Sequence, residues 1–337
     1  MPEPHRSRLV ADVDFERDGK QAGHIRLFHS VHASAYGFIP IPVVVIRHGP
    51  GPTALFVSGN HGDEYEGQIA LGNLARSLDP AAIKGRVILL PMANFPAGMA
   101  GRRTSPIDDG NLNRSFPGDP DGSVTRQIAY YIEHVLLPMA DIVCDLHSGG
   151  SSLMYVPCAL IKRAADPAQA EKLRAALKAF GAPLAYLTGG GHGTGEDHTL
   201  SGGAARLGIP AVGTELGGGG KLTPAALAVA ERGLRNLLAH VGILPAETPA
   251  APAPATRILT VGGPEYFVYA SESGVFEPLA ELGDMVSAGQ PAARIHFPET
   301  PLAPPATVAF ARDGFALCMR VPGRTMRGDC LFHLGSD

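Results

Sequence analysis

The chain has 337 residues, 45% of them hydrophobic and 18% charged, as in a globular protein with a sizeable core. Its net charge is -4, and no Lys/Arg block appears, which argues against nucleic acid or an anionic membrane as a partner. No apolar segment approaches the roughly 18 residues of a membrane span, and the first residues lead into no apolar signal segment. We therefore expect a cytoplasmic protein with a small-molecule partner.

Short strands and turns are predicted for residues 8–48, at an edge of a larger sheet. From residue 53 onward, short apolar runs alternate with helical segments, a pattern typical of α/β architecture. The apolar runs cover residues 54–58, 87–91, 141–146 and 211–214. Three helices have recognisable ends: one from Ser123 to about Leu137, one from Asp166-Pro167 to Gly181, and one from Thr223-Pro224 to Gly242.

A polar residue follows each apolar run, in order His61, Asn94, His147 and Glu215. Ligands of open α/β sheets bind at the carboxyl ends of the strands. If the four strands are parallel neighbours, these side chains converge on one site, and we expect the active site there.

His61 and Glu64 lie three residues apart at a strand-to-helix turn, and they offer an imidazole nitrogen and a carboxylate oxygen. These are ligand types that bind Zn²⁺, and a catalytic zinc site usually takes three protein ligands. His147 is a candidate for the third, with Asp145 able to hold an imidazole through its second nitrogen. Alone, the first pair is more typical of a polar helix N-terminus with acidic residues in its first turn.

Glu215 follows the fourth apolar run and has no basic neighbour in sequence, so it can take a proton from water and pass it to a leaving amine. Arginines occur between the candidate ligands, in residues 102–108 and 111–118. A guanidinium near a metal can stabilise an oxyanion, and an Asn/Arg pair can hold a substrate carboxylate.

Four motifs together resemble the succinylglutamate desuccinylase/aspartoacylase family, zinc amide hydrolases related to the zinc carboxypeptidases. In family order, they are Asn-His-Gly-Asp-Glu at 60–64, Asn-Leu-Asn-Arg-Ser-Phe-Pro-Gly at 111–118, Asp-Leu-His-Ser-Gly-Gly at 145–150 and Thr-Glu-Leu-Gly-Gly-Gly at 214–219. Within the family, the motif wording is most similar to the deacetylases that act on N-acetyl-L-2,4-diaminobutyrate in ectoine degradation. Deacylation of another N-acyl amino acid, a metallocarboxypeptidase and a catalytically silent zinc- or ligand-binding protein stay open as alternatives.

The resemblance implies an α/β fold with a zinc carboxypeptidase-like mixed sheet flanked by helices. It also implies one zinc ion per chain, held by His61, Glu64 and His147, with Glu215 as general base and then general acid. The substrate it implies is a small N-acyl amino acid.

The same resemblance assigns roles to three further residues between the ligands. Arg103 is similar to the family's oxyanion-stabilising arginine, although the adjacent Arg102 leaves the register open. Asn113 and Arg114 are similar to the pair that holds the substrate carboxylate.

A Pro/Ala-rich segment, residues 245–256, predicts an extended linker between a catalytic domain (1–244) and a β-rich domain (257–337). Residues 274–290 resemble a lipoyl/biotinyl-carrier domain. No lysine occurs after Lys221, so we expect a structural or gating role rather than a carried lipoyl or biotinyl group. The sequence leaves open whether the chain forms a homo-oligomer.

The Gly-rich stretch 189–195 lacks the Gly-Lys-Ser/Thr ending of a phosphate-binding loop and is expected to be a loop near the site. A second metal site is a weaker hypothesis, with these candidate ligands: His192, Glu196, Asp197 and His198.

Overall fold

The computed structural model describes residues 7–188, 196–245 and 255–337. The Gly-rich stretch with His192, and most of the predicted linker, lie outside these residues. The helices are α1 (Glu66–Ser77), α2 (Phe95–Ala100), α3 (Val124–Tyr131), α4 (Pro167–Phe180), α5 (Leu200–Arg206) and α6 (Pro224–His240). The strands are β1 (Val10–Ala11), β2 (Gly19–Phe28), β3 (Phe38–His48), β4 (Thr53–Ser58), β5 (Gly85–Leu90), β6 (Ile142–Leu146), β7 (Leu153–Tyr155), β8 (Cys158–Lys162), β9 (Leu184–Thr188), β10 (Ala211–Glu215), β11 (Arg257–Thr260), β12 (Phe267–Tyr269), β13 (Gly274–Pro278), β14 (Met285–Val286), β15 (Pro291–His296), β16 (Ala306–Ala309), β17 (Gly314–Arg320), β18 (Arg324–Thr325) and β19 (Cys330–Gly335).

Ten strands form one large mixed sheet in the order β1-β2-β3-β5-β4-β6-β10-β8-β9-β11. Its centre, β5-β4-β6-β10, is parallel throughout, and these are the four predicted apolar runs. β1, β2 and β3 pair antiparallel at one edge, as predicted for residues 8–48. The carboxyl ends of β4, β6 and β10 therefore meet at the same edge of the sheet, where the candidate site residues follow.

Both faces of the central strands are covered, because their side chains alternate between two cores. Phe56 of β4 packs into a cluster with residues of α1, α4 and α6. Its neighbours Leu55 and Val57 pack into a second cluster with residues of α3 and α5. All three side chains are fully buried, so β4 is held rigidly from both sides immediately before the turn that carries His61.

The predicted helix ends are largely confirmed. Asp166 caps α4 by accepting from the Gln169 N–H, and Gly181 ends that helix in the left-handed region at φ 72°. Thr223 caps α6 in the same way. The helix predicted to end near Leu137 is less regular: α3 passes into a π-helical turn and ends in a 3₁₀ turn at Met139.

Two smaller antiparallel sheets follow near the C-terminus, in the orders β12-β19-β17-β14 and β16-β15-β13-β18. They enclose a third core that includes Phe276, Phe310 and Phe332. Two strands link this region to the large sheet: β7 pairs with β17, and β11, directly after the predicted linker, pairs with β9. The division into three segments stays a prediction. Across the described residues, we find no helix with the length and apolar character of a membrane span.

Candidate active site

His61 and Glu64 lie in the turn between β4, which ends at Ser58, and α1, which begins at Glu66. His147 directly follows β6, the parallel neighbour of β4. Since these strands end at the same edge, the two segments meet although they are far apart in sequence. Asp63 fixes their approach, because its carboxylate accepts hydrogen bonds from the backbone N–H and hydroxyl of Ser151.

The three predicted metal ligands form one compact cluster. Nδ1 of His61 is 2.6 Å from Oε1 of Glu64, and Nδ1 of His147 is 2.8 Å from Oε2 of the same carboxylate. One potential ligand atom from each residue lies within 4.8 Å of the others, and all three side chains are buried. Among the described residues, this is the one group of His, Cys, Asp and Glu with such an arrangement.

Asp145 contacts the far side of the His147 ring, with Oδ1 3.0 Å from Nε2. The Asn60 amide donates to the same Oδ1 at 2.7 Å. A proton on Nε2 that is shared with Asp145 leaves Nδ1 of His147 directed at Glu64, which is the nitrogen a metal needs. The structure thus brings Asp145 to the position expected of an orienting carboxylate.

Opposing effects set the pKa values within the cluster. Burial alone disfavours ionised Glu64, but His61 and His147 outweigh it, so the pKa of Glu64 is lowered. Burial likewise disfavours protonated His147, but Asp145 and Glu64 outweigh it, so the pKa of His147 is raised well above its usual value. The cluster therefore keeps an ionised carboxylate between two imidazoles, and a metal ion bound there would replace the proton that His147 holds.

Glu215 ends β10, the strand next to β6, and lines the same pocket. Its Oε2 atom is buried and has no hydrogen-bond partner within the described part of the chain. Burial and the charge of Glu64 raise its pKa well above the usual value, although His147 and Arg103 oppose them. A carboxyl group with a raised pKa and a free oxygen is suited to exchanging protons with a reactant.

Arg103, rather than Arg102, faces the cluster. Its Nη1 atom is 3.3 Å from Nδ1 of His61 and 3.5 Å from Oε1 of Glu64, and the side chain lines the pocket. Arg102 contributes its backbone carbonyl, which accepts from the Gly62 N–H at 2.8 Å. Arg103 is thus the arginine beside the cluster, and its role at an oxyanion stays a prediction.

Asn113 and Arg114 also line the pocket, but Asn113 is already engaged. Its Oδ1 accepts from the Leu200 N–H at 2.9 Å, and its Nδ2 lies 2.9 Å from Nε2 of His147. The Arg114 guanidinium donates to the Asn113 carbonyl at 2.6 Å. Both residues are thus beside the cluster, with Asn113 held against α5 by the Leu200 N–H.

Several residues at the site were missed by sequence reasoning. Oδ1 of Asn111 lies 3.1 Å from Nε2 of His61, so Asn111 contacts the ring nitrogen of His61 that does not face Glu64. The hydroxyl of Thr214 accepts from the His147 N–H at 3.0 Å, and the Ser148 N–H donates to Glu64 at 3.1 Å. All three lie within the recognised motifs, so the motifs could have identified them as site residues.

Two expectations about the site differ from the structure. Asn94 does not line the pocket, because its amide turns toward the carbonyl of Asn60, 3.5 Å away. The expectation that all four strand-end residues converge is therefore wrong for Asn94. His198 donates to the carbonyl of Phe116, while His192 is outside the described residues, so the second metal site stays untested.

A second part of the pocket, called the aromatic end, is lined by residues from the smaller sheets and the strands beside them. Tyr155, Tyr186, Phe267 and His333 contribute aromatic rings there. The gating role expected for the C-terminal domain stays a prediction, and the sequence analysis named none of these four rings as a pocket residue.

Comparison with known proteins agrees with this geometry. Residues 50–241 match the model of the succinylglutamate desuccinylase/aspartoacylase catalytic domain. The chain belongs to this family. It is 43% identical over 325 residues to an N-alpha-acetyl-L-2,4-diaminobutyric acid deacetylase from Halomonas elongata, a match that covers 96% of this chain and 94% of that protein.

Solved structures of family members share the whole architecture. The product-bound ectoine utilization protein EutE (DoeB) from Ruegeria pomeroyi has a TM-score of 0.94 and 40% identity, over 99% of this chain and all of that one. A succinylglutamate desuccinylase/aspartoacylase from Rhodobacter sphaeroides has a TM-score of 0.91 and 39% identity, over 98% of this chain and 100% of that one. The predicted family and fold class are confirmed, and the chain is an amide hydrolase.

Proposed function

We propose that this enzyme is a zinc-dependent deacetylase of N-acetyl-L-2,4-diaminobutyrate that acts in ectoine degradation. The observation that carries the zinc-dependent hydrolysis is the His61, Glu64 and His147 cluster beside Glu215, whose buried Oε2 atom has no hydrogen-bond partner among the described residues. The relative from Halomonas elongata, at 43% identity across nearly the whole chain, supports the choice of substrate.

The residues of the cluster fit a single zinc ion per chain. Two imidazoles and one carboxylate are a known ligand set of catalytic zinc, and the two Nδ1 atoms already point toward the shared carboxylate. When bound, zinc polarises a carbonyl as a Lewis acid and lowers the pKa of water toward about 7. Asp145 orients the His147 ring for this role.

Glu215 is proposed to carry the protons of the reaction. It takes one from the water that attacks the amide carbonyl and then gives it to the departing amine. Its raised pKa supports this assignment, because a stronger base removes a proton from water more readily. The amide bond is broken, the acetyl group leaves as acetate, and the amino acid regains its amine.

The arginines are proposed to position charge around the reacting carbonyl. Arg103, with its guanidinium 3.5 Å from Glu64, faces the oxyanion that develops there. Arg114, with Asn113, holds the carboxylate of the substrate.

We further propose a cytoplasmic location, on the basis of composition alone, and leave the oligomeric state open.

The Glu215→Gln variant tests the assignment, because glutamine keeps the shape of the side chain but cannot exchange the proton. We expect turnover of N-acetyl-L-2,4-diaminobutyrate to fall by about 10²–10⁴-fold while zinc binding is retained. Glu231→Gln, the same substitution on α6 beside Asn73, is the control and should behave as wild type. Wild-type turnover by Glu215→Gln would contradict the assignment of Glu215 as the proton carrier.

Hydrolysis of dipeptides in preference to N-acetyl amino acids would instead favour a metallocarboxypeptidase.

A further inference from the structure

A row of side chains crosses the smaller sheet that forms one wall of the pocket. Tyr155 of β7 pairs with Cys318 of β17, Cys318 pairs with His333 of β19, and His333 pairs with Phe267 of β12. Directly paired residues of neighbouring strands lie on the same face of a sheet. Tyr155, His333 and Phe267 line the pocket, so this face is turned toward the site.

His333 is the polar member of this row, and it lacks a hydrogen-bond partner. Only 5% of the residue is exposed, and within the described residues neither ring nitrogen has a partner. Its ring stacks on Phe267 with centroids 4.4 Å apart and meets Tyr155 and Tyr186 edge-on at 6.1 and 5.9 Å. Burial lowers its pKa to about 4, so the ring is neutral at neutral pH.

Leaving a buried imidazole without a hydrogen-bond partner lowers the stability of a protein unless a ligand supplies that partner. A buried polar group without a partner usually costs free energy, and such groups in native proteins need a reason. A neutral imidazole presents one nitrogen that accepts a hydrogen bond and one that donates. Because His333 lines the pocket, a bound ligand can supply the hydrogen-bond partner that its imidazole lacks among the described residues.

The wall around His333 can accept a ligand ammonium, because the imidazole is neutral and one of its nitrogens accepts a hydrogen bond. Aromatic rings attract ammonium groups through their open faces, and the Phe267 face toward His333 is already covered by the imidazole. A neutral imidazole adds an acceptor without adding repulsive positive charge. The cationic side chains of the pocket are elsewhere: Arg103 is beside the metal ligands, Arg114 contacts Asn113, and Lys162 is paired with Asp197.

We infer that His333, with the rings of Tyr155, Tyr186 and Phe267, forms a subsite for the side-chain ammonium of a short N-acyl diamino acid. This inference rests on the proposed deacetylase function and adds the residue that selects among N-acetyl amino acids. The substrate then spans the pocket, with its amide at the cluster of His61, Glu64 and His147 and its ammonium under the smaller sheets. His333 has no part in the proton transfers and acts by recognition.

The test compares two substrates that differ by the ammonium, N-acetyl-L-2,4-diaminobutyrate and N-acetyl-L-2-aminobutyrate. His333→Phe keeps a ring against Phe267 but removes the acceptor nitrogen. We expect the ratio of kcat/KM for the first substrate over the second to fall by about tenfold or more, mainly through KM. His333→Asn, which restores a neutral acceptor, should recover part of the ratio.

The matched control is His296→Phe, a half-exposed histidine of β15 in the same region that is paired with Glu277. It should leave the ratio at the wild-type value. An equal loss on both substrates in His333→Phe, or no loss on either, would overturn the subsite while leaving the deacetylase intact. Failure of the zinc-loaded wild type to hydrolyse either substrate would overturn the proposed function and the subsite with it.

Discussion

Two buried histidines in one pocket, His147 and His333, are in opposite states. His147 has a carboxylate on each side, with Glu64 2.8 Å from Nδ1 and Asp145 3.0 Å from Nε2, and its pKa is raised. His333 has aromatic rings around it and no hydrogen-bond partner in the described structure, and burial lowers its pKa to about 4. Burial acts in the same direction on both histidines, so their neighbours decide the difference.

This difference divides the pocket into two ends with separate tasks. The charged end, built from the turns after β4, β6 and β10, holds the groups needed for hydrolysis. The aromatic end, built from β7, β12 and β19, contains the neutral His333. In the inferred binding mode, the ammonium of the substrate lies at the aromatic end and its amide lies at the charged end.

After Glu215→Gln, the next largest predicted effect also concerns the charged end, where Arg103 and Arg102 offer a matched pair. Arg103→Ala removes the guanidinium that faces Glu64, and we expect kcat to fall by about 10²–10³-fold. Arg102→Ala should stay close to wild type, because Arg102 supports the turn through its backbone carbonyl. Steady-state kinetics with N-acetyl-L-2,4-diaminobutyrate measures both. A larger loss in Arg102→Ala than in Arg103→Ala would reverse the assignment.

A smaller effect is predicted at the aromatic end, in the pH dependence of stability. Between pH 6.5 and about pH 4, the unfolded chain binds a proton at His333 but the folded chain does not. The contribution of His333 to stability is therefore complete above pH 6.5 and declines as the pH falls toward 4, by up to about 3 kcal/mol.

Equilibrium urea unfolding of wild type and His333→Phe at several pH values isolates this contribution, because other titrating groups cancel in the difference. The wild type should lose stability relative to the variant as the pH falls below 6.5. A difference that does not change between pH 7 and pH 4 would show that His333 takes up its proton at the same pH in the folded and unfolded chains, contrary to the division of the pocket.

Much of the charged end could be predicted from sequence because its determinants are local. Each central strand is a short apolar run, and His61, His147 and Glu215 follow three of these runs within a few residues. Parallel packing of the strands then brings the three residues together. Asn94 follows the same pattern but turns away, since a strand end fixes where a residue lies and not where its side chain points.

The aromatic end could not be predicted because it depends on pairing between distant strands. Tyr155 and His333 share a face only because both β7 and β19 pair with β17. Within Cys330–Gly335, a histidine among apolar residues has the appearance of an ordinary core position. Nothing in the sequence indicated that residues 153–155 would pair with β17.

Zinc titration of the metal-free protein tests the central claim most directly. The purified enzyme would be stripped with a chelator, supplied with increasing zinc, and assayed for acetate release from N-acetyl-L-2,4-diaminobutyrate. We predict that activity is lost on stripping and returns in proportion to zinc, with saturation at one ion per chain. Full activity in the stripped protein, or zinc binding without any deacetylation, would contradict the assignment of His61, Glu64 and His147 to a catalytic zinc site.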